Sequence, residues 1–229
     1  MKGLSLIIPA HNAEKFIKNS LIEYYEVFSK NFENLELIVV CNACTDKTFE
    51  VSNSLKSILP LKVIDVPERG KGNALIKGFA YAENSIIGFL DSDNPFDLNE
   101  ILKMIELLNY KEIVIAPKFK KGTFKYQASI DRRLLSIAGS IVARLIFHLS
   151  VLDTQAGAKF MRRYVWDKIE KNFVCKGFEF DIEFLYRANK KGFKIHEYFI
   201  QPKESDFSTV KLRILPGMLK RLFISRFFT

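Results

Sequence analysis

Two acids at the end of a hydrophobic run are the first residues in this sequence with a chemical meaning. Ile86-Ile87-Gly88-Phe89-Leu90 leads directly into Asp91-Ser92-Asp93. Carboxylates at i and i+2 just beyond a buried strand repel each other unless a cation offsets them. A hard divalent ion with oxygen ligands would do so and could bridge to a diphosphate. The competing reading is helix capping by Asp93 or Asp97. Three further polar loops also follow apolar runs. Pro9-Ala10-His11-Asn12-Ala13-Glu14 enters a helix start, whose N–H groups favour an anion or a base. Within it, His11 reads better as a ring packed on a ligand or a neighbouring loop than as a lone base. Cys41-Asn42-Ala43-Cys44-Thr45-Asp46 has the C-x-x-C spacing of a redox pair. No second pair completes a zinc site and Cys175 is remote. The preferred reading is therefore a polar loop in which Asn42 meets a nucleobase edge and Thr45 or Asp46 caps the next helix. Arg69-Gly70-Lys71-Gly72-Asn73-Ala74 lacks the G-x-x-x-x-G-K-[ST] order. Lys71 between two glycines at a helix start can contact phosphate or ribose, or it marks a solvated helix entry.

These loops need elements to position them. Leu4–Ile8, Leu35–Val40, Leu61–Val66, Ile86–Leu90 and Ile113–Ile115 read as buried strands. Glu14–Phe28, Asp46–Ile58, Lys71–Ala82 and Leu98–Leu108 read as the helices between them. Such alternation predicts right-handed crossovers and an α/β fold, with a mainly parallel central sheet covered by helices on both faces. Ligands then bind beyond the carboxyl ends of the strands, where the polar loops lie. After Ala116 the rhythm breaks. A basic loop over Lys118–Asp131 precedes a very apolar helix from Leu134 to Leu152. Then come a turn and strand over Asp153–Met161, short helices over Tyr164–Lys171 and Gly177–Lys190, and a strand over Lys194–Pro202. Val210–Phe228 is a basic, aromatic, helical tail.

Composition limits the partners. The 229 residues are 48% apolar, enough for a continuous core and too apolar for a disordered chain. Lys and Arg number 35 against 26 Asp and Glu, a formal charge of +9 that favours phosphate-bearing partners. No recognition module accompanies that charge, which argues against nucleic acid. Three cysteines make no disulfide framework and the N-terminal apolar run is too short for a signal peptide, so an intracellular protein is expected. No apolar stretch reaches the ~18 residues of a spanning helix. Arg144 and His148 interrupt the stretch from Leu134 to Leu152, which is either a core helix or one lying on a bilayer.

The ordered set Ile7-Ile8-Pro9-Ala10-His11-Asn12, Val39-Val40-Cys41-Asn42-Ala43-Cys44-Thr45-Asp46-Lys47-Thr48, Gly70-Lys71-Gly72-Asn73-Ala74 and Phe89-Leu90-Asp91-Ser92-Asp93 resembles glycosyltransferase family 2. Asp153-Thr154-Gln155-Ala156-Gly157-Ala158-Lys159-Phe160 and Gly177-Phe178-Glu179-Phe180-Asp181-Ile182-Glu183 are similar to its branch that charges dolichyl phosphate with glucose or mannose. The resemblance implies a nucleotide-diphospho-sugar transferase (GT-A) fold over residues 1–209, with a nucleotide-binding half (1–116), an acceptor half (117–209) and a basic amphipathic tail (210–229).

It further implies that Pro9, His11 and Glu14 line the nucleotide, that Asn42 contacts the base, and that Lys71, Ser92 and Lys118 join them. Asp91 and Asp93 would hold Mg2+ or Mn2+, with Asp93 the principal ligand. Lys118, Arg132 and the adjacent Arg133 fall at basic positions for the diphosphate and the acceptor phosphate; Gln155 and Lys211 join the acceptor side. Asp181 falls where the glucosyl branch carries an Asp facing sugar or acceptor. The family's usual acidic pair is Cys41-Asn42 here, leaving UDP-glucose and GDP-mannose types both open. The position two after the D-x-D is Pro95, and the basic motif before the tail survives only as Ser208-Thr209-Val210-Lys211.

The expected activity is inverting, metal-dependent transfer of a hexose to polyprenyl (dolichyl) phosphate, by a cytoplasmic protein held peripherally at a membrane surface. A phosphate acceptor needs no strong base, whereas a hydroxyl acceptor needs one, for which Asp181 is the candidate. Transfer to a hydroxyl, or donor binding without turnover, are the alternatives. The tail either meets an anionic membrane or docks on the core.

Overall fold

The computed structural model describes residues 3–117, 146–151, 153–201 and 215–227. Seven strands form one sheet in the order β3-β2-β1-β4-β6-β5-β7. They are β1 (Gly3–Ala10), β2 (Asn34–Asn42), β3 (Leu61–Val66), β4 (Ile86–Leu90), β5 (Ile113–Ile115), β6 (Ala158–Arg162) and β7 (Ile195–Glu197). The helices are α1 (Ile17–Phe28), α2 (Thr48–Ser54), α3 (Lys71–Tyr81), α4 (Leu98–Glu106), α5 (Arg163–Lys168), α6 (Phe180–Lys190) and α7 (Leu215–Phe227). Short 3-10 turns finish α2 and lead out of α4.

Every strand–helix element expected before Ala116 is present, and the sheet is mainly parallel, as the alternation predicts. The exception is β6, which lies between β4 and β5 and runs antiparallel to both. Its register sets Ala158 opposite Leu90 and Arg162 opposite Ile86. The start of β6 therefore lies at the carboxyl end of β4, and the loop Asp153–Gly157 sits beside Asp91. This reversal is what brings the second half of the chain to the loops of the first.

Alternate side chains of each strand enter two cores. Ile7, Ile38, Val40, Ile87 and Phe89 face α3 and α6, whereas Leu6, Ile8, Val39, Leu90 and Phe160 face α1 and α4. Both faces are covered, which explains strands that are apolar throughout rather than alternating. Three helices start later than the sequence suggests, among them α2, at Thr48 and not at Asp46. Helix α1 begins at Ile17 and not at Glu14, because Glu14 is engaged with the entry of α2. Helix α6 begins at Phe180 and not at Gly177, because the carbonyls of Lys176 and Gly177 receive N–H groups of α3. Within the strand expected over Lys194–Pro202, Ile195–Glu197 form β7, parallel to β5, and the Tyr198 N–H adds a bond to the Ile115 carbonyl at 2.9 Å.

At the opposite rim Glu36 of β2 gathers four donors. Its carboxylate accepts from Ser5 Oγ, from Lys62 Nζ at 2.8 Å, from the Glu83 N–H at 2.9 Å and from Asn84 Nδ2 at 3.2 Å. Burial alone would raise its pKa; the hydrogen bonds from Lys62, Ser5 and the Glu83 N–H outweigh burial and hold it below the ordinary 4.5. A carboxyl with a depressed folded-state pKa contributes stability that is present above its unfolded value and lost as pH falls through the folded value. Denaturation followed by circular dichroism should show stability falling on acidification below about 4.5, and Glu36→Gln should make that fall shallower. An identical acid slope in the variant would show that Glu36 holds no such role.

Candidate active site

The rim at the carboxyl ends of β1, β2, β4 and β5 is built around Asp91. Lys71, the first residue of α3, sets its ammonium 2.7 Å from Asp91 Oδ1. The Tyr24 hydroxyl of α1 donates to the Asp91 backbone carbonyl at 2.6 Å. Gly157, just before β6, lies so close that a Cβ there would stand 2.4 Å from Asp91 Oδ2. Asp91, Ser92 and Asp93 are all partly exposed. Helix α4 is capped by Asp97, whose carboxylate accepts the Asn99 N–H at 2.9 Å, so Asp91 and Asp93 are not spent on capping it.

Electrostatics tie this group together. Burial alone would lower the Lys71 pKa, but the carboxylates of Asp91, Asp181 and Asp93 outweigh it and leave the pKa raised. The Tyr24 hydroxyl is pushed well above its ordinary value, by burial first and then by Asp91, Asp93 and Glu23, so it stays a proton donor. The Lys71 ammonium also lies over the Phe89 ring, 4.7 Å from its centroid.

The expected helix-start contact of the glycine-flanked lysine takes a different form. The N–H groups of Gly72 and Asn73 donate to the carbonyls of Gly177 and Lys176, each at 3.1 Å. Gly70 has φ 142°, and a Cβ there would meet the Lys176 carbonyl oxygen at 2.2 Å. The start of α3 is thus docked on the loop before α6, and Lys71 offers its side chain rather than a free helix end.

The loops after β1 and β2 are laced to each other. The Thr45 N–H donates to Asn12 Oδ1 at 2.8 Å, the Lys47 N–H to Glu14 Oε2 at 2.9 Å and the Glu14 N–H to Asp46 Oδ2 at 3.1 Å. Asp46 also accepts the Thr48 N–H at 3.0 Å; the cap position expected of Thr45 or Asp46 falls to Lys47, whose side chain makes no capping bond. The His11 ring packs against the neighbouring loop as anticipated: Nδ1 donates to the Asn42 carbonyl at 2.7 Å. Asn42, expected at a base edge, is buried instead. Its amide donates to the Glu68 carbonyl at 2.5 Å and accepts the Gly70 N–H at 2.9 Å, fixing the loop that delivers Lys71. Cys41 and Cys44 are free thiols, and burial pushes the Cys41 thiol up to about 12, unlike a reactive thiolate.

Helix α6 supplies a second layer. Asp181, 3% exposed, pairs at 3.0 Å with Lys159 of β6, which is 1% exposed. Lys159 also donates to the Ala156 carbonyl at 2.7 Å and lies 5.2 Å from the Phe89 ring centroid. Burial lowers the Lys159 pKa and the repulsion of Lys71 adds to it, with the attraction of Asp181 only partly compensating. Gln155 reaches the Phe178 carbonyl at 3.4 Å. Glu183, fully buried, binds Arg187 at 2.6 Å and the Cys175 N–H at 2.7 Å, a purely structural anchor. Lys118, Arg132, Arg133 and Lys211, like the basic loop and most of the apolar stretch after it, lie outside the described residues. Tyr24 lies in no motif, and Lys159 lies in the Asp153–Phe160 stretch with no role read for it; sequence reasoning missed both as site residues.

The mainly parallel sheet, with paired acids and a lysine at its carboxyl rim, has the GT-A fold, which its solved structural neighbours share. The crystal structure of glucosyl-3-phosphoglycerate synthase from Mycobacterium tuberculosis in complex with Mn2+, uridine diphosphate and phosphoglyceric acid superposes with a TM-score of 0.71 at 22% identity, covering 97% of this chain and 76% of that one. Within that fold class the chain belongs to glycosyl transferase family 2, whose model matches residues 5–170. A dolichol-phosphate mannosyltransferase of Pyrococcus furiosus is 28% identical over 191 residues, 81% of this chain and 53% of the relative. The dolichyl-phosphate beta-glucosyltransferase ALG5A of Trichomonas vaginalis is 27% identical over 230 residues, 95% of this chain and 70% of the relative. The chain thus spans about half the length of the first of these relatives and 70% of the second.

Gly157→Ala tests the closeness of the Asp91 surroundings. Its Cβ forces the carboxylate to move, so calorimetric Mn2+ affinity in the presence of UDP or GDP should fall about ten-fold or more while the melting temperature stays near wild type. Unchanged Mn2+ affinity would contradict the geometry.

Proposed function

We propose that the chain is an inverting, metal-dependent hexosyltransferase that moves a sugar from a UDP- or GDP-sugar to polyprenyl (dolichyl) phosphate at the cytoplasmic face of a membrane. The observation that carries this reading is the Asp91-Ser92-Asp93 turn at the carboxyl end of β4, countered by Lys71 and excluded from capping α4. The two relatives named for dolichyl phosphate support the acceptor class, and the Mn2+ and UDP in the solved synthase support the donor side.

The residues present fit a divalent ion. Mg2+ characteristically takes one or two carboxylates and completes its shell with substrate phosphates and water. Asp91 and Asp93 supply that number, and among the described residues no cluster of three or more His, Cys, Asp or Glu forms an all-protein cage. Asp91 and Asp93 would hold the ion, which when bound neutralises charge on the departing diphosphate. Lys71 stands beside Asp91 already desolvated, so its charge meets that leaving group with little reorganisation. Pro9, His11, Glu14, Asn42 and Ser92 frame the nucleotide, Asn42 by holding the loop rather than by touching the base. Lys118, Arg132, Arg133, Gln155 and Lys211 complete the phosphate-binding side.

A phosphate monoester, with its second pKa near about 6, is ionised at neutral pH and needs no general base. The burial of Asp181 against Lys159 favours such an acceptor over a hydroxyl, because the one carboxylate considered for that base is tied into an ion pair.

Helix α7 supports work at a membrane surface. Met218 and Leu222 dock it on the core, as one reading of the tail expected. Leu219, Phe223 and Phe227, at one-turn spacing, are 49%, 54% and 58% exposed. That apolar stripe beside exposed Lys220 suits an anionic bilayer interface. No helix among the described residues is long and apolar enough to cross a membrane.

Labelled UDP-glucose and GDP-mannose, offered with polyprenyl phosphate or the matching alcohol, should give product with the phosphate only. Asp93→Ala should lower that rate by about 10²–10³ or more at an unchanged melting temperature. Full activity in Asp93→Ala, or equal use of the alcohol, would defeat the reading. Separately, Leu219→Ser/Phe223→Ser/Phe227→Ser should abolish flotation with phosphatidylserine-containing vesicles; undiminished flotation would assign membrane contact elsewhere.

A further inference from the structure

Two buried acids open α6, and each takes its cation from a different element. Asp181 takes Lys159 from β6; Glu179, fully buried, takes Arg221 from α7. The Glu179 carboxylate folds back over Gly177, where an added Cβ would lie 2.7 Å from Oε2. The carbonyl of that same Gly177 accepts the Gly72 N–H at 3.1 Å, next to Lys71 and its pair with Asp91. An unbroken set of contacts therefore runs from α7 through Glu179 and Gly177 to the start of α3 and the acid turn. Further along, α7 is seated by Leu222 in the core and by Arg226, whose Nε donates to the Ile146 carbonyl at 3.0 Å. Arg221 is the α7 side chain whose partner belongs to the frame of the site.

We propose that Arg221 is a positioning residue: by holding Glu179 it couples the seating of α7 to the placement of Lys71 against Asp91. A buried carboxylate that loses its counter-charge must take up a proton, move toward water or recruit another cation, and each alters how it packs. Any shift of Glu179 displaces Gly177 and, with it, the two carbonyls on which the first turn of α3 is docked. The inference rests on the proposed donor site for its consequence, though not for its mechanics. It makes the helix carrying the exposed apolar stripe a structural input to the donor side. Contiguity alone does not establish coupling, so a double-mutant cycle is required.

The 229-residue chain is used, with Mn2+ plus UDP and Mn2+ plus GDP as probes in titration calorimetry. Arg221→Gln should bind whichever nucleotide the wild type prefers about ten-fold more weakly, while Arg221→Lys recovers most of the affinity. Lys190→Gln, exposed at the far end of α6, should bind as wild type. Glu179→Gln should weaken binding, and Glu179→Gln/Arg221→Gln should lose no more than the weaker single variant. Amide hydrogen exchange is read on the same samples and needs no nucleotide. In Arg221→Gln, exchange should accelerate at residues 71–75 and 176–183 but not in β1 or β2. Wild-type nucleotide affinity in Arg221→Gln, or additive losses in the double variant, would overturn the coupling. If the wild type binds neither nucleotide, the donor-site reading fails by itself, and unchanged exchange at residues 71–75 then overturns the coupling independently.

Discussion

The rest of the structure is arranged around the ion pair between Lys71 and Asp91. A carboxylate beyond a fully buried strand is costly unless its charge is met, and here it is met from a helix separated from it by one whole strand in the chain. The pair constrains three other elements. Asn42 must hold the loop before α3 so that Lys71 arrives in register. Tyr24 must fix the backbone of Asp91 so that its carboxylate points one way. Residue 157 must be glycine-sized to leave that carboxylate room.

Around this pair lies a shell of buried charge. Glu179, Asp181 and Glu183 line the first turns of α6, and Arg221, Lys159 and Arg187 answer them from α7, from β6 and from within α6. Acids suit a helix N-terminus, whose partial positive charge favours them. The two pairs buried on both sides, Lys159–Asp181 and Arg187–Glu183, contribute little net stability against well-packed apolar residues, yet removing a single partner from one costs about 3–5 kcal/mol. Their value here is geometric. The Asp181 and Glu179 pairs fix the start of α6 to β6 and α7, and the loop leading into that start carries the carbonyls on which α3 is docked.

Much of this was legible in the sequence. Runs such as Ile86–Leu90 announce themselves because both faces of the sheet are covered, and the acids that follow then fall at the ligand-binding rim of any parallel α/β sheet. The direction of β6 was not legible, since an apolar strand reads alike in either orientation; only its partners set the reversal. Asn42 looked like a base contact because an amide at a strand end has the same signature whether it faces a ligand or a loop. Tyr24 was lost in the apolar stripe of α1. Lys159 sits in a strand whose pattern gives no hint that its ammonium lies inside, beside Asp181. Asp181 stood out among the acids of α6, but the cations that meet Asp181 and Glu179 come from β6 and α7, elements far off in the chain.

The proposed function stands on a cation site formed by Asp91 and Asp93 and completed by a diphosphate. Mn2+ binding measured by electron paramagnetic resonance, with and without UDP or GDP, addresses it most directly. Nucleotide should tighten Mn2+ binding to the wild type, and Asp91→Asn/Asp93→Asn should abolish that gain while remaining folded. Mn2+ held equally well by the double variant, or indifferent to both nucleotides, would contradict the account.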